Sequence, residues 1–192
     1  RNQLSSLDVS QNVSLVRLLC HTNPIFSLNV TNNTLLTMLS CRGNQLSYLD
    51  VSQNTNLESF SCDDNQLSSL NLNNNTALTD LQCDDNQFTS LDFTQNTLLT
   101  FLDCSGNQLN SLDFNQNNEL NELDCSSNQL TCLRIRNLTN PALILNASSN
   151  SSLNCIEVDN PTWAEANWTY LNLNVDNGVT FSTSCSNPAG CF

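Results

Sequence analysis

The chain is 192 residues long, with 18 acidic side chains, 5 basic ones, a single histidine and a formal net charge of −13. Holding nucleic-acid phosphates or an anionic membrane surface needs clustered Lys and Arg, so that balance argues against both, and no charge-free apolar run reaches membrane length. A cationic partner, a divalent cation or a neutral glycan stays compatible with the charge, and the Asn, Ser and Thr content suits a secreted, extracellular scaffold.

From Leu4 onward one pattern recurs with a fixed period of 21 residues. The first half of each period, LxxLDVxxN, starts at Leu4, Ile25, Leu46, Leu67, Phe88 and Leu109 and closes at Asn12, Asn33, Asn54, Asn75, Asn96 and Asn117. The second half, LxxLxCxxN, places a large apolar residue five before a cysteine (Leu15, Leu36, Leu57, Leu78, Leu99, Leu120) and another two before it (Leu18, Leu39, Phe60, Leu81, Leu102, Leu123). The cysteines are Cys20, Cys41, Cys62, Cys83, Cys104 and Cys125, and three residues later stand Asn23, Asn44, Asn65, Asn86, Asn107 and Asn128. A period this regular marks a stacked repeat array. Neither half can bury its apolar positions alone, so the coils must stack on one another to make a core. Each coil is too short for a helix plus a strand, so its second side is expected to be extended or 3₁₀.

The cysteines occupy core slots, and free Cys is among the most buried residue types. Stacked coils set them in a line, each packed on the next at about 4.8 Å. Disulfides among them would require the backbone to move. No second metal-ligand type stands near any of them, and His21 is the only histidine.

After Cys125 the repeat degrades. The stretch "RIRNLTNPALILNASSNSSLNCIEV" fits one further coil with a one-residue insertion, with Leu145, Ala147, Asn150, Leu153, Ile156 and Val158 in the marker slots and Ala147 replacing the cysteine. The repeats therefore span residues 1–158, about seven to eight coils, and residues 159–192 form a capping segment. Within it Pro161 to Trp168 reads as a short helix. Trp163 and Trp168 are expected to pack onto the last coil, the rival reading being a ligand-stacking site. At the other end, Arg1 opens in mid-repeat with no signal peptide, as expected of a mature or trimmed piece of a longer chain.

Cys132, Cys155, Cys185 and Cys191 lie outside the line, and four cysteines allow three connectivities. Cys132 and Cys155 hold equivalent positions on consecutive coils, within disulfide reach of each other. Triplets N-x-S/T occur at Asn12, Asn29, Asn32, Asn74, Asn137, Asn146, Asn150 and Asn167. Asn12 is a turn position expected to be buried, so no glycan is expected there.

Two acidic groups stand out. Asp63 stacks on Asp84, and Asp64 on Asp85; at about 5 Å such pairs repel by roughly 1–3 kcal/mol. They form either a hydrated acidic face or a weak Ca²⁺ or cationic-ligand site, since hard oxygen ligands suit calcium; no other cofactor is expected. Asp8, Asp50, Asp92 and Asp113, interleaved with Asn29 and Asn71, sit in the fixed "LD" slot and are expected to bind turn N–H groups.

These repeats resemble the leucine-rich repeat family, whose marker is LxxLxLxxN/CxL, and within it the bacterial cysteine-ladder variety of the internalin J type, in which Cys replaces the third leucine. The resemblance covers residues 1–158 and implies a right-handed solenoid, almost all β or irregular, with short parallel strands, little helix, and the Asn held inside the turn. It implies a C-terminal cap of secreted bacterial type and favours Cys155–Cys185 as the disulfide. It also implies a ligand face on the variable positions of the LxxLxCxxN strands. Those positions hold Arg17, Leu19, His21, Met38 and Arg42 in the first coils. They hold Glu58, Asp63, Asp80, Asp84 and Asp103 in the middle coils and Glu122 and Asp124 in the later ones, with Phe101 between Asp80 and Glu122.

An enzyme is not expected. His21 has no acidic orienter in reach, and a flat strand surface gives no cleft to desolvate one of the carboxylates, so their pKa values should stay ordinary. The expected role is a monomeric binding or adhesion module of a secreted or cell-surface bacterial protein, recognising a protein or polysaccharide. The alternatives are a carbohydrate-binding module of a larger extracellular protein and a passive stalk.

Overall fold

The computed structural model describes residues 2–136 and 143–186. The cysteine-bearing halves form seven short strands: β1 (Arg17–Leu19), β2 (Met38–Ser40), β3 (Ser59–Ser61), β4 (Asp80–Gln82), β5 (Phe101–Asp103), β7 (Glu122–Asp124) and β9 (Ile144–Asn146). They pair in parallel in the order β1-β2-β3-β4-β5-β7-β9. The register is one period per step, Leu18↔Leu39↔Phe60↔Leu81↔Leu102↔Leu123↔Leu145, so the single insertion before Leu145 is absorbed without losing alignment.

On the other long side the early coils are extended but make one backbone bond per step, such as Gln45 N–H to Ile25 C=O at 2.9 Å and Gln66 N–H to Leu46 C=O at 2.8 Å. Only toward the end does this side become a sheet, with β6 (Ser111–Asp113), β8 (Cys132–Ile135), β10 (Cys155–Val158) and β11 (Thr180–Ser182) in the order β11-β10-β8-β6. The second side, expected to be extended or 3₁₀, is extended, and in its last coils it also pairs as a sheet. "CIEV" and "TFS" bring β-branched and aromatic residues to this side, and "CLRI" adds Ile135; β6, "SLD" like the earlier coils, joins the sheet by pairing with β8.

Between the two sides runs one core. The six ladder thiols are buried and free. Burial pushes Cys20 up to about 11, and Cys41, Cys62, Cys83, Cys104 and Cys125 higher still. They are therefore neutral fillers, not thiolates. Phe93 and Phe114 stack with ring centroids 5.8 Å apart.

Two asparagine rows hold the bends. In the row after the cysteines, Asn107 Nδ2 donates to the carbonyls of Cys104, Ser105 and, one coil back, Cys83, while its Oδ1 accepts from Phe88 N–H. The pattern repeats at Asn44, Asn65, Asn86, Asn128 and Asn150. A carboxamide supplies both a donor and an acceptor to backbone groups that a bend would orphan. In the second row Asn33, Asn54, Asn75, Asn96 and Asn117 each donate to two carbonyls of the preceding coil. Asn12 belongs to the outermost coil and is exposed, against expectation, because no described coil packs over it. The "LD" slot behaves as expected: Asp8, Asn29, Asp50, Asn71, Asp92 and Asp113 each accept from the N–H two residues on.

The cap begins with helix α1 (Pro161–Asn167), which ends one residue before the expected boundary. Asn160 caps it by accepting from Trp163 N–H at 3.0 Å, and Trp168 closes it. Trp168 is buried, donates from Nε1 to Leu143 C=O, and packs on Trp163 and Phe181. Trp168 is thus core, and the half-buried Trp163 packs against it. The strand β11 adds to the edge of β10, and Cys185 stands at disulfide distance from Cys155, with Cα atoms 5.9 Å apart. The rival Cys132–Cys155 pair is not formed; Cys132 is itself disulfide-bonded. Cys191 and Asn137 lie outside the described residues.

Candidate functional site: the outer face of the seven-stranded sheet

Strand alternation turns every second side chain of the cysteine-bearing segments away from the core. Three outward rows result. The first is Arg17, Met38, Ser59, Asp80, Phe101, Glu122 and Ile144, in direct register. The second is Leu19, Ser40, Ser61, Gln82, Asp103, Asp124 and Asn146, also in direct register. The third follows the cysteines: His21, Arg42, Asp63, Asp84, Ser105, Ser126 and Ser148. Glu58 lies one residue before β3, exposed at the edge where the chain enters the sheet.

The face changes character along the stack. At the β1 end Leu19 and Val16 are exposed and Arg17 Nη2 rests 3.3 Å from Met38 Sδ. His21 is exposed and meets Thr22 Oγ1 at 3.4 Å. The middle and later coils are acidic. Arg42 Nε lies 3.5 Å from Asp63 Oδ2. The other described ion pairs are on the opposite sheet, where Arg134 bridges Asp113 and Glu157, and Arg136 reaches Glu157 at 2.5 Å.

Carboxylates on this face are handled in two ways. Asp103 accepts from the N–H and hydroxyl of Ser105 at 3.0 and 2.7 Å, and Asp124 does the same with Ser126 at 2.9 and 2.6 Å. In the two coils before, the order is reversed: the carboxylate follows the cysteine as Asp63 and Asp84, and no serine caps it. Asp63 is only 7% exposed, and its Oδ1 is buried without a hydrogen-bond partner. Burial pushes its pKa up, countered by Arg42. Asp84 is pushed up to about 7, by burial first and then by the charges of Asp103 and Asp63. Burial also raises Asp80. The expectation of ordinary carboxylate pKa values on a flat surface is therefore wrong. Within the row after the cysteines, Asp63 is buried and Asp84 half-buried, whereas His21 and Arg42 at its β1 end are exposed.

The proposed quartet of Asp63, Asp64, Asp84 and Asp85 is not one cluster. Asp63 and Asp84 lie in the outward row, whereas Asp64 and Asp85 stand exposed on the turn with φ of 52° and 49°. Their carboxylates also lean apart. Asp64 Oδ2 comes within 3.6 Å of the position a Cβ would take on Gly43, one coil back, and Asp85 fills the space in front of Gly106, one coil on. The two glycines leave the gaps into which the like charges separate. Among the described residues no three acidic, cysteine or histidine side chains gather as a metal site.

Sequence reasoning missed several members of the face. Ser105 and Ser126 hold the neighbouring carboxylates, a role visible in the repeated "DCS" of residues 103–105 and 124–126. Ile144, 63% exposed, ends the first row beyond Glu122. Leu171 and Leu173 are exposed on the segment whose Asn174 bonds Leu145 C=O and Ala147 N–H at the open side of β9. Two shallow grooves of about 380 and 300 Å³ lie on the opposite side, lined by Tyr48, Ser69, Leu70, Asn71 and Asp92 among others.

No protein-family model and no curated protein matches the chain. Solved structures do. A leucine-rich-repeat protein of Leptospira interrogans is 26% identical over 91% of this chain and 46% of that one, with a TM-score of 0.66. The fold is the leucine-rich-repeat solenoid. The leucine-rich-repeat ectodomain of a plant membrane receptor kinase from Arabidopsis thaliana, determined in complex with Casparian strip integrity factor 2, is 22% identical over 90% of this chain and 22% of that one, with a TM-score of 0.71. The functional domain of InlJ from Listeria monocytogenes, which includes a cysteine ladder, is 27% identical over 82% of this chain and 52% of that one, with a TM-score of 0.41. This chain thus spans about half the length of the Listeria and Leptospira proteins.

Proposed function

We propose that this solenoid is a non-catalytic protein-binding module, and that its ligand lies across the seven-stranded sheet. The observation that carries this is the composition of the first outward row. Asp80, Phe101 and Glu122 stand in register at its centre, with Met38 toward one end and exposed Ile144 at the other. A partly exposed aromatic among charges, bounded by apolar ends, is the make-up of a recognition patch. The plant receptor's ectodomain, which shares the fold, is solved with a bound factor. The parent protein is read as secreted or surface-attached, acting in adhesion, and the Cys155–Cys185 pair fits an oxidising compartment.

The test is selection of a displayed peptide library against the protein, with a glycan array probed in parallel. Selected peptides are expected to lose binding to Phe101→Ala and Glu122→Lys and to keep it with Tyr48→Ala, which alters the opposite side. Binders indifferent to both sheet substitutions, or an array that returns a polysaccharide where the library returns nothing, would overturn the reading.

A further inference from the structure

We infer that Asn177 is a site of spontaneous deamidation, and that its isoaspartyl product loosens the C-terminal cap from the last coil.

The chain is rich in asparagine, yet Asn177 is the only one followed by glycine. The next residue matters because its backbone nitrogen is the attacking atom, and a β-carbon on it obstructs the approach to the side-chain carbonyl. Asn177 and Gly178 are the exposed central residues of a turn that Val179 N–H closes onto Asp176 C=O at 3.3 Å. Among the described residues neither the Asn177 carboxamide nor the Gly178 N–H has a hydrogen-bond partner. Gly178 has φ of 92°, and no atom lies within 4 Å of the place a Cβ would take on it. Nothing therefore holds this peptide against the rotation that brings Gly178 N onto Asn177 Cγ. The ladder asparagines are the opposite case. Asn150, followed by Ser151, is fully buried, and its carboxamide donates to the carbonyls of Cys125, Ala147 and Ser148 and accepts from Leu130 N–H.

The chemistry needs only water. Hydroxide takes the proton of Gly178 N, which attacks Asn177 Cγ. The N–Cγ bond forms, the Cγ–Nδ2 bond breaks, and Nδ2 leaves as ammonia, giving a five-membered succinimide. Water then opens the ring at Cγ, restoring the ordinary link as an aspartate, or at the main-chain carbonyl, giving isoaspartate with the chain running through Cβ and Cγ. Overall a water is consumed and an ammonia released.

The position gives this reaction a structural consequence. Inside the array the N–H two residues after each cysteine donates to a carbonyl of the next coil, as Asp85 N–H does to Ser105 C=O and Ser127 N–H to Ser148 C=O. The last coil has no such carbonyl before it. Asp176 supplies the acceptor instead, its Oδ1 taking Ser149 N–H at 2.8 Å and its Oδ2 Asn150 N–H at 2.6 Å. Four residues on, Thr180 N–H bonds Asn154 C=O at 2.9 Å as β11 joins β10. The Asn177–Gly178 turn is the tether between these two attachments. An isoaspartyl link lengthens that tether by a main-chain carbon and sets a new carboxylate beside Asp176, so the two attachments no longer fit together. Since a terminal unit covers the apolar edge of the last coil, loosening it lowers the stability of that end.

The test ages wild type, Asn177→Ser and Asn177→Asp in mildly alkaline buffer beside the free peptide acetyl-Val-Asp-Asn-Gly-Val amide. Asn177→Ser cannot form the succinimide by loss of ammonia, and Asn177→Asp, measured fresh, carries the new charge without the longer backbone. Peptide mapping is expected to find position 177 of wild type converted before any other asparagine, mainly to isoaspartate. Amide hydrogen exchange at Ser149, Asn150 and Thr180 should rise by about fivefold or more in the aged wild type, with a melting temperature lower by roughly 2–4 °C. Aged Asn177→Ser should keep its fresh values, and fresh Asn177→Asp should shift less than aged wild type. An Asn177 that stays intact while the free peptide converts would overturn the site. Conversion that leaves exchange at those three amides unchanged, or an equal loss in aged Asn177→Ser, would overturn the loosening.

Discussion

Asp63 leans on Arg42 through its Oδ2 at 3.5 Å, whereas Asp84, the next residue in the same row, has no described ion pair and is pushed up to about 7. An acid whose folded pKa is raised takes up a proton on folding between its unfolded value and about 7. Stability therefore declines as the pH climbs through that window. Asp84→Asn keeps the shape and removes the titration. It is expected to raise the melting temperature at pH 8 and to change it little at pH 5. Thermal melts across pH 5–8 check this, and an equal effect at both ends would contradict it.

Gly43 and Gly106 both adopt positive φ, 61° and 63°, so alanine is strained at either. Only Gly106 also has the Asp85 carboxylate in the space its side chain would take. Gly106→Ala is expected to destabilise more than Gly43→Ala, which should cost about 1 kcal/mol. Adding Asp85→Ala should bring the Gly106 variant back toward the Gly43 one. Chemical denaturation of the two singles and the double measures the coupling.

The second asparagine row stitches neighbouring turns. Asn75 Nδ2 donates to the carbonyls of Val51 and Asn54 at 3.0 and 2.9 Å, both buried contacts. Asn75→Ala removes two buried hydrogen bonds, while Val51 C=O still accepts from Asn54 N–H and Asn54 C=O from Leu57 N–H, and is expected to cost about 1–3 kcal/mol. Asn75→Asp should cost no less, because an ionised carboxylate cannot donate. Urea titration gives both values.

The ladder thiols are packing elements. Cys83→Ala should cost about 1 kcal/mol as a small cavity, and Cys83→Leu about 1–3 kcal/mol as overpacking. Native-state alkylation should leave all six unmodified under conditions that label the denatured chain fully. Rapid modification of Cys62, Cys83 or Cys104 in the folded protein would sink the filler role.

Cys155 and Cys185, 30 residues apart, staple the cap to the last coil. Closing a loop of that length is worth on the order of 3–4 kcal/mol. Reducing agent, or Cys185→Ala, should lower the melting temperature, and a non-reducing digest should yield the linked peptide pair.

How far the sequence carried differs between the skeleton and the face. The 21-residue period sets Leu39, Cys41 and Asn44 in equivalent places in every coil, so ladder, turns and register were legible without coordinates. The late sheet on the second side was not, because it depends on Ile135, Val158 and a strand from the cap at Thr180–Ser182 arriving together. The site was half legible. Phe101 between Asp80 and Glu122 followed from spacing alone. The burial of Asp63 and the raised Asp84 did not, because they depend on how closely neighbouring coils pack around these two positions and on the charges of Asp63 and Asp103 beside Asp84. The separation of Asp64 from Asp85 hinges on two glycines in flanking coils, a relation no single repeat contains.

The central claim is that the ligand lies on the seven-stranded sheet. Backbone amide shift mapping with the tightest display-selected peptide tests it most directly. The largest changes should fall on Asp80–Gln82, Phe101–Asp103 and Glu122–Asp124, fading toward β1. Changes centred on Tyr48, Ser69 and Asn71, or on helix α1, would place the ligand elsewhere and contradict the account.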